Sequence, residues 1–404
     1  MSIYDKASIA LIPSGFKAGS TDNLYSVLPA NGNGDFNATR ASSATRINKD
    51  GFIESVATNV PRLDYPITSG VVGDCPHLLL EPQRTNLLER SNEFDTTWGL
   101  GSTMTLTSGQ ASTLSGSNDA WLLTSDGTSG FGQVNQSVSH SGSHTFSVFA
   151  KEGTNQTVSL RSISGTDVRA EFNLNTGTVT GSSNTTSTEI QNYGNGWYRV
   201  CMTFDATNSQ VFIYPSPIGT ADGGNILIQN AQLEAGDYKT SYIPTTSASV
   251  TRSADECNSS GTTAEFNDSE GVLFVEFAAL SNADLIHRRI AISGGSSSSN
   301  FVYISFDTVS NRILANANGK ALVYVTTDVT EFQKVAVYYN ATAPKLFVNG
   351  VLRETESAMS AITGLNELAF DNGAGGNDFL GKVKQAIVFN EALSDSELVT
   401  LTTQ

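Results

Sequence analysis

Apolar and polar residues alternate over short runs through most of this chain, the period of a strand with one buried face. Thr145-Phe146-Ser147-Val148-Phe149-Ala150, Val158-Ser159-Leu160-Arg161 and Arg169-Ala170-Glu171-Phe172-Asn173-Leu174 follow it. Asn175-Thr176-Gly177 reads as the turn between Leu174 and Val179. Further runs at 198–204 and 210–214 predict a β-sandwich over 95–250. A second series occupies 262–404, with strands predicted at 272–277, 301–306, 335–339, 345–348 and 383–389. Asn349-Gly350, between Val348 and Val351, is a two-residue hairpin signal. One short helix is expected near the end: Ser394 caps it, Glu397 stands three residues on, and Leu398 and Leu401 form its apolar face.

Residues 1 to about 90 break the pattern. Apolar clusters at 9–12, 24–28 and 78–80 are separated by Pro13, Pro29, Pro61, Pro66, Pro76 and Pro82, more than half of the chain's 10 prolines. Proline removes a ladder donor and favours extended chain. The expectation is an extended arm, 1–94, packed on a partner or on the next domain. Ser253, Asn258, Ser259, Ser260 and Gly261 suggest a linker over 251–262, and Gly294-Gly295-Ser296-Ser297-Ser298-Ser299 an exposed loop. The fold class expected is all-β: two antiparallel jelly-roll-type sandwiches, 95–255 and 262–404, behind the arm.

Composition agrees with many short strands. A chain of 404 residues exceeds one ordinary core, and 15% charged residues with abundant Gly, Ser, Thr and Asn disfavour long helices. The net charge of −16 repels phosphate backbones and anionic headgroups, which argues against nucleic-acid binding, and no run reaches the roughly 18 to 20 apolar residues of a membrane span. Cys75, Cys201 and Cys257 give no disulfide framework, and Cys201 sits in an alternating strand as a core residue would. Met1 to Ala10 lack the basic and apolar regions of a signal peptide, so synthesis in a reducing cytoplasm is expected.

Catalytic patterns are sparse. His77, His140, His144 and His287 show no zinc-protease order, and the expectation is exposed loop histidines. No nucleophile elbow with a matching Asp and His is present. Sugar binding needs aromatic faces beside amides and carboxylates; Trp98, Trp121, Tyr193 and Tyr214 are the candidates, while Trp197 reads as core.

Three ordered stretches carry a resemblance. They are Thr39-Arg40-Ala41-Ser42-Ser43-Ala44-Thr45-Arg46 with Asn59-Val60-Pro61-Arg62-Leu63-Asp64-Tyr65; Leu78-Leu79-Leu80-Glu81-Pro82-Gln83-Arg84-Thr85-Asn86; and Gln232-Leu233-Glu234-Ala235-Gly236 with Thr240-Ser241-Tyr242-Ile243-Pro244-Thr245 and Val250-Thr251-Arg252-Ser253-Ala254-Asp255. Together they resemble a module of phage tail-fibre, head-fibre and minor structural proteins, in which an arm precedes a carbohydrate-binding-module-like sandwich. Lys345-Leu346-Phe347-Val348-Asn349-Gly350 and the 379–398 stretch resemble laminin-G or concanavalin-A-like domains.

The resemblance implies a non-catalytic virion protein, of fibre or decoration type, assembled in the host bacterial cytoplasm. Its implied partners are capsid or tail proteins, a host-surface glycan and further copies of itself, with a trimer favoured. Arg40, Arg46, Arg62, Arg84 and Arg90 are the candidate particle-docking residues, since guanidinium forks pair with carboxylates. The alternatives are a tailspike-like polysaccharide depolymerase and a purely stabilising capsid decoration protein. A glycosidase of concanavalin-like fold needs two carboxylates on one strand face, and Glu265, Asp268 and Glu270 mix faces across a turn. Laminin-G-like folds hold calcium through loop oxygens, which makes Asp371 and Asp378 the candidate ligands.

Overall fold

The computed structural model describes residues 2–15, 24–282, 286–295 and 300–404. It is all-β, as expected, with every sheet antiparallel. The 296–299 part of the expected loop lies outside the described residues.

The first sandwich is built from two six-stranded sheets. One runs in the order Gly99–Leu100, Val134–His140, Asn208–Tyr214, Thr157–Ile163, Val168–Asn173, Thr178–Ser183. The other runs Met104–Gln110, Ala120–Asp126, Gly223–Ala235, Ser143–Glu152, Trp197–Asp205, Ser187–Gly194. Phe146, Val148 and Ala150 point into the core against Val158, Leu160 and Phe172. Phe149 points the other way, into a cluster with Leu114, Ala120 and Trp197 beneath Ile53 of the arm. The second sheet is therefore covered on both faces, which explains why Ser143–Glu152 is buried almost throughout.

The second sandwich pairs a five-stranded sheet with an eight-stranded one. The larger sheet runs Val351–Thr355, Lys345–Val348, Gln333–Asn340, Glu270–Ala279, Gly381–Phe389, His77–Leu80, Leu63–Asp64, with Ile9–Leu11 also pairing Gly381–Phe389. Asn349 (φ 50°) and Gly350 (φ 77°) make the expected hairpin turn. Ser394 and Glu397 form the expected reciprocal cap of helix Asp395–Thr402, and Leu398 and Leu401 are buried against the outer face of the larger sheet.

Two expectations need correction. Segment 1–94, expected as an extended arm packed on a partner or on the next domain, is woven into both sandwiches instead. It supplies three of the eight strands of the second sandwich's larger sheet, places Ile9, Leu11, Leu78 and Leu80 in that core, and then sends Leu88 and Phe94 into the first. Its prolines limit each strand to two to four residues without preventing pairing. Nor is 251–262 a loose linker: Val250–Arg252 pairs with Arg84–Asn86, and Glu256–Asn258 with Asn37–Thr39. Short polar stretches serve here as ladders because the arm gives them a partner strand.

Candidate functional site: a groove between the sandwiches

The three stretches that carry the phage-module resemblance converge on one buried charge network at the joint between the sandwiches. Arg62 contacts Glu81 at 2.6 Å and pairs with Asp255 through its other terminal nitrogen. Arg252 reaches Glu81 at 2.8 Å, and Arg40 reaches Asp255 at 2.9 Å. Ser241 donates its backbone N–H and its hydroxyl to Glu81, at 2.8 and 2.6 Å. Burial opposes charge on Glu81, but Arg252 and Arg62 outweigh it and hold the carboxyl well below the usual range. Burial likewise opposes charge on Arg62, and Glu81 and Asp255 outweigh it.

Beside this network lies a cavity of about 170 Å³ between the arm hairpin, the first sandwich and the second. Asp64, Gln191, Tyr193 and Lys382 line it, and all four also line the adjoining stretch of about 450 Å³, which extends to His77, Phe332 and Lys384. The groove forms where two sheet edges meet: Ser187–Gly194 ends a sheet of the first sandwich, and Leu63–Asp64 ends the larger sheet of the second. Half-buried Tyr193 packs edge-on against Phe149, with ring centroids 4.9 Å apart. Lys239 pairs with Glu189, and Lys384 lies 3.5 Å from Glu276 and 4.1 Å above the Phe332 ring. Lys382 makes no hydrogen bond or ion pair among the described residues, and burial followed by repulsion from Lys239 lowers its pKa.

Asp64 and His77 face each other across the groove wall. Burial raises Asp64 to about 6, partly offset by the Ile47 N–H that donates to it at 2.7 Å. Burial, with Lys382 and Lys384 nearby, lowers His77 to about 3. Its Nε2 is 3.6 Å from Asp64, and neither ring nitrogen has a hydrogen-bond partner. These shifts act on stability in opposite senses. Between pH 6.5 and 3 the unfolded chain protonates His77 and the folded chain does not, so acidification costs up to ~1.4 kcal/mol per pH unit through this group. Between pH 6 and the ordinary 3.8 the folded chain protonates Asp64 first, which favours folding as pH falls. In urea melts at stepped pH, His77→Gln is expected to gain on wild type as pH drops below 6.5. Asp64→Asn is expected to lose ground below pH 6. Parallel pH profiles for all three proteins would refute both assignments.

Of the four expected sugar-stacking aromatics, only Tyr193 borders this groove. The other three are corrected to core positions. Trp98 and Trp121 are 6% and 8% exposed and donate their indole N–H groups to the carbonyls of Arg90 and Asn92, at 3.1 and 2.9 Å. Tyr214 is buried. Alternation turns Trp121 inward, Trp98 precedes its strand and packs against Phe94 at 5.0 Å, and Tyr214 lies on the face opposite Ile213, stacked on Phe212 at 6.1 Å. Buried in these ways, none of the three offers a face to a ligand. Trp197 and Cys201 are buried, as expected.

The candidate docking arginines are largely occupied within the chain. Arg40 and Arg62 are sealed in the network, Arg46 pairs with Glu54 at 2.7 Å, Arg90 pairs with Glu93, and Arg84 lies 5.3 Å over the Tyr238 ring. The histidine expectation is corrected too: His77, His140 and His144 are buried, and the last two rings pack 5.2 Å apart. Strand positions that read as polar face inward here and pair with main-chain carbonyls. The Asp371 carboxylate is buried and accepts the Gly373 N–H at 2.5 Å; Asp378 offers its main-chain oxygen to Arg288 at 3.3 Å. Among the described residues, no three His, Cys, Asp or Glu side chains stand together as a metal-ligand set. Among them, too, no helix is long and apolar enough to cross a membrane.

Asp64, His77, Gln191, Phe332, Lys382 and Lys384 were not signalled by the sequence, because four separate segments bring them together. Glu81 left a trace: a carboxylate directly after three leucines, hence a buried charge in need of partners.

No curated protein matches the chain in sequence. Among solved structures, it is similar to the CBM40 module of a Ruminococcus gnavus intramolecular trans-sialidase bound to α2,3-sialyllactose, at 17% identity over 34% of this chain and 84% of that one, with a TM-score of 0.30. It is also similar to domain 4 of a GH43 extracellular arabinanase from Geobacillus stearothermophilus in complex with arabinotriose, at 12% identity over 37% and 73%, TM-score 0.29. The family comparison is more specific: residues 277–399, within the second sandwich, match the model of the concanavalin A-like lectin/glucanases superfamily.

Proposed function

We propose that this chain is a non-catalytic, glycan-binding component of a phage particle, and that the glycan lies in the groove between its sandwiches. The observation that carries the reading is the groove's chemistry. A half-buried tyrosine, an amide, a carboxylate and an unpaired ammonium converge at Tyr193, Gln191, Asp64 and Lys382. An aromatic ring with a few polar groups around it suits a sugar, whose faces are apolar and whose edges are hydroxyls. The match of residues 277–399 to a superfamily that includes lectins supports the same reading. The phage assignment rests on the three resembling stretches, as do virion location, capsid or tail partners and homo-oligomerisation.

Absence of catalysis is argued from Glu81. A glycosidase needs a raised carboxylic acid and a second carboxylate free to act as nucleophile or base. Asp64 has the raised pKa, and Glu81 lines the same cavity. Yet both Glu81 oxygens are already engaged, one by the Ser241 N–H and the other by Arg62, Arg252 and the Ser241 hydroxyl. Four donors hold Glu81 as a charged acceptor inside the arginine network, with its carboxyl well below the usual range, so it is committed to structure and not free to act as nucleophile or base.

Screening the protein against a glycan array, with Tyr193→Ala beside it, tests the reading. Loss of one stacking contact is expected to weaken binding roughly tenfold, the equivalent of ~1.4 kcal/mol. Unchanged binding by Tyr193→Ala would remove the groove from consideration. Release of new reducing ends from host polysaccharide would establish the depolymerase instead. Detection of the chain in purified particles by mass spectrometry checks the virion assignment, and its absence there would refute it.

A further inference from the structure

The groove does not end at Lys384. Glu331, Phe332 and Lys384 also line a third stretch of about 550 Å³ that reaches Thr326, Asn349 and Lys334. The three stretches share lining residues in sequence, so they form one trough along the joint and across the second sandwich. Building on the glycan reading above, we propose that this trough is a multi-subsite cleft for an extended, carboxylate-bearing polysaccharide, gripped along its length and not by one terminal sugar.

Extent supports the length. The stretches measure about 170, 450 and 550 Å³, together more than the roughly 300–1,000 Å³ typical of a single small-molecule site. Aromatic rings recur along the trough: Tyr193 where the first and second stretches join, Tyr65 in the middle stretch, and Phe332 where the second and third join. Each is half-buried, and the Phe332 ring is covered on one face by Lys384, leaving its other face.

Charge supports the acid. The chain carries a net charge of −16, yet six basic residues line the trough, Arg46, Arg199, Lys239, Lys334, Lys382 and Lys384, against four acidic ones, Asp64, Glu81, Glu276 and Glu331. The local excess of basic residues favours a polyanion here over the acidic chain as a whole. Lys382 feels Asp64, Glu81 and Glu189 at a distance but makes no direct ion pair or hydrogen bond among the described residues, so a ligand carboxylate could contact it directly. His77 adds an independent sign. It is 2% exposed, lines the middle stretch, and has two ring nitrogens without hydrogen bonds, which a ligand hydroxyl or carboxylate would satisfy.

Size-graded oligosaccharides of alginate, polygalacturonate and hyaluronan, each with its carboxyl-reduced counterpart, should be titrated onto the full chain. At least one acidic series is expected to bind roughly tenfold or more tightly as pentasaccharide than as disaccharide, and to lose that affinity on reduction. Lys382→Met should weaken acidic ligands about tenfold, with Lys382→Arg restoring most of it. Phe332→Ala should weaken the long ligands while leaving disaccharides unchanged, a split that general unfolding would not produce; near-UV circular dichroism confirms the fold of each variant. If no acidic series binds, the inference is overturned. It is equally overturned if reduced chains bind as well as acidic ones, or short chains as well as long ones. Where a neutral or short glycan still binds and Tyr193→Ala still weakens it, only this inference fails. Where Tyr193→Ala alters no glycan binding at all, the functional reading fails with it.

Discussion

Arg62→Met is expected to destabilise the whole protein by about 3–5 kcal/mol, because breaking a buried ion pair strands the charge left behind. Arg62 is fully buried and is the one guanidinium that touches both Glu81 and Asp255. Its removal leaves two buried carboxylates with one arginine each, Arg252 and Arg40. In a thermal melt this should lower Tm by roughly 10 °C, at about 2–4 °C per kcal/mol for units of this size. Adding Asp255→Asn should recover part of the loss, since it removes one stranded charge. A single variant within 1 kcal/mol of wild type would mean that water reaches the network and that the joint is looser than described.

The second large effect concerns the N-terminal segment. Removing residues 1–70 deletes Ile9–Leu11 and Leu63–Asp64 from the larger sheet of the second sandwich, and Arg40 and Arg62 from the network. Ile9 and Leu11 are fully buried. Large buried aliphatic side chains contribute about 2–5 kcal/mol each, against a total stability of roughly 5–15 kcal/mol for a typical domain. Deletion also bares the edge of Gly381–Phe389 along Ala386, Ile387 and Val388, an invitation to edge-to-edge association. The truncated chain is expected to aggregate or to lose its near-UV signal, as size-exclusion chromatography and circular dichroism would show. A soluble, folded truncation that no longer enters particles would instead restore the segment to the role of a particle anchor.

Much of the fold was legible because local alternation and turn chemistry decide it. The strand runs at 145–150 and 272–277, the Asn349-Gly350 turn and the Ser394 cap depend on neighbours within a few residues, and each formed where expected. The arm was not legible in the same way. Ile9-Ala10-Leu11 and Leu78-Leu79-Leu80 say only that they must be buried, and their partner strand, Gly381–Phe389, lies at the far end of the chain. Short strands carry too little local preference to name a distant partner.

The sequence by itself determined the class: antiparallel sandwiches, acidic surfaces, and three charged stretches whose resemblance marked them as belonging together. Which charges are spent inside and which face a ligand was decided only by tertiary structure. Arg40 and Arg62 looked like surface arginines until Glu81 and Asp255 were brought to within hydrogen-bond reach of them. Trp98 and Trp121 looked available for stacking until the first core closed over them. Tyr193, Asp64 and Lys382 became neighbours because two sheet edges from different sandwiches meet there. The physical reason is the same in each case. Side-chain burial follows from local periodicity, but the electrostatic partner of a buried or half-buried charge is chosen by long-range packing, which no spacing along the chain encodes.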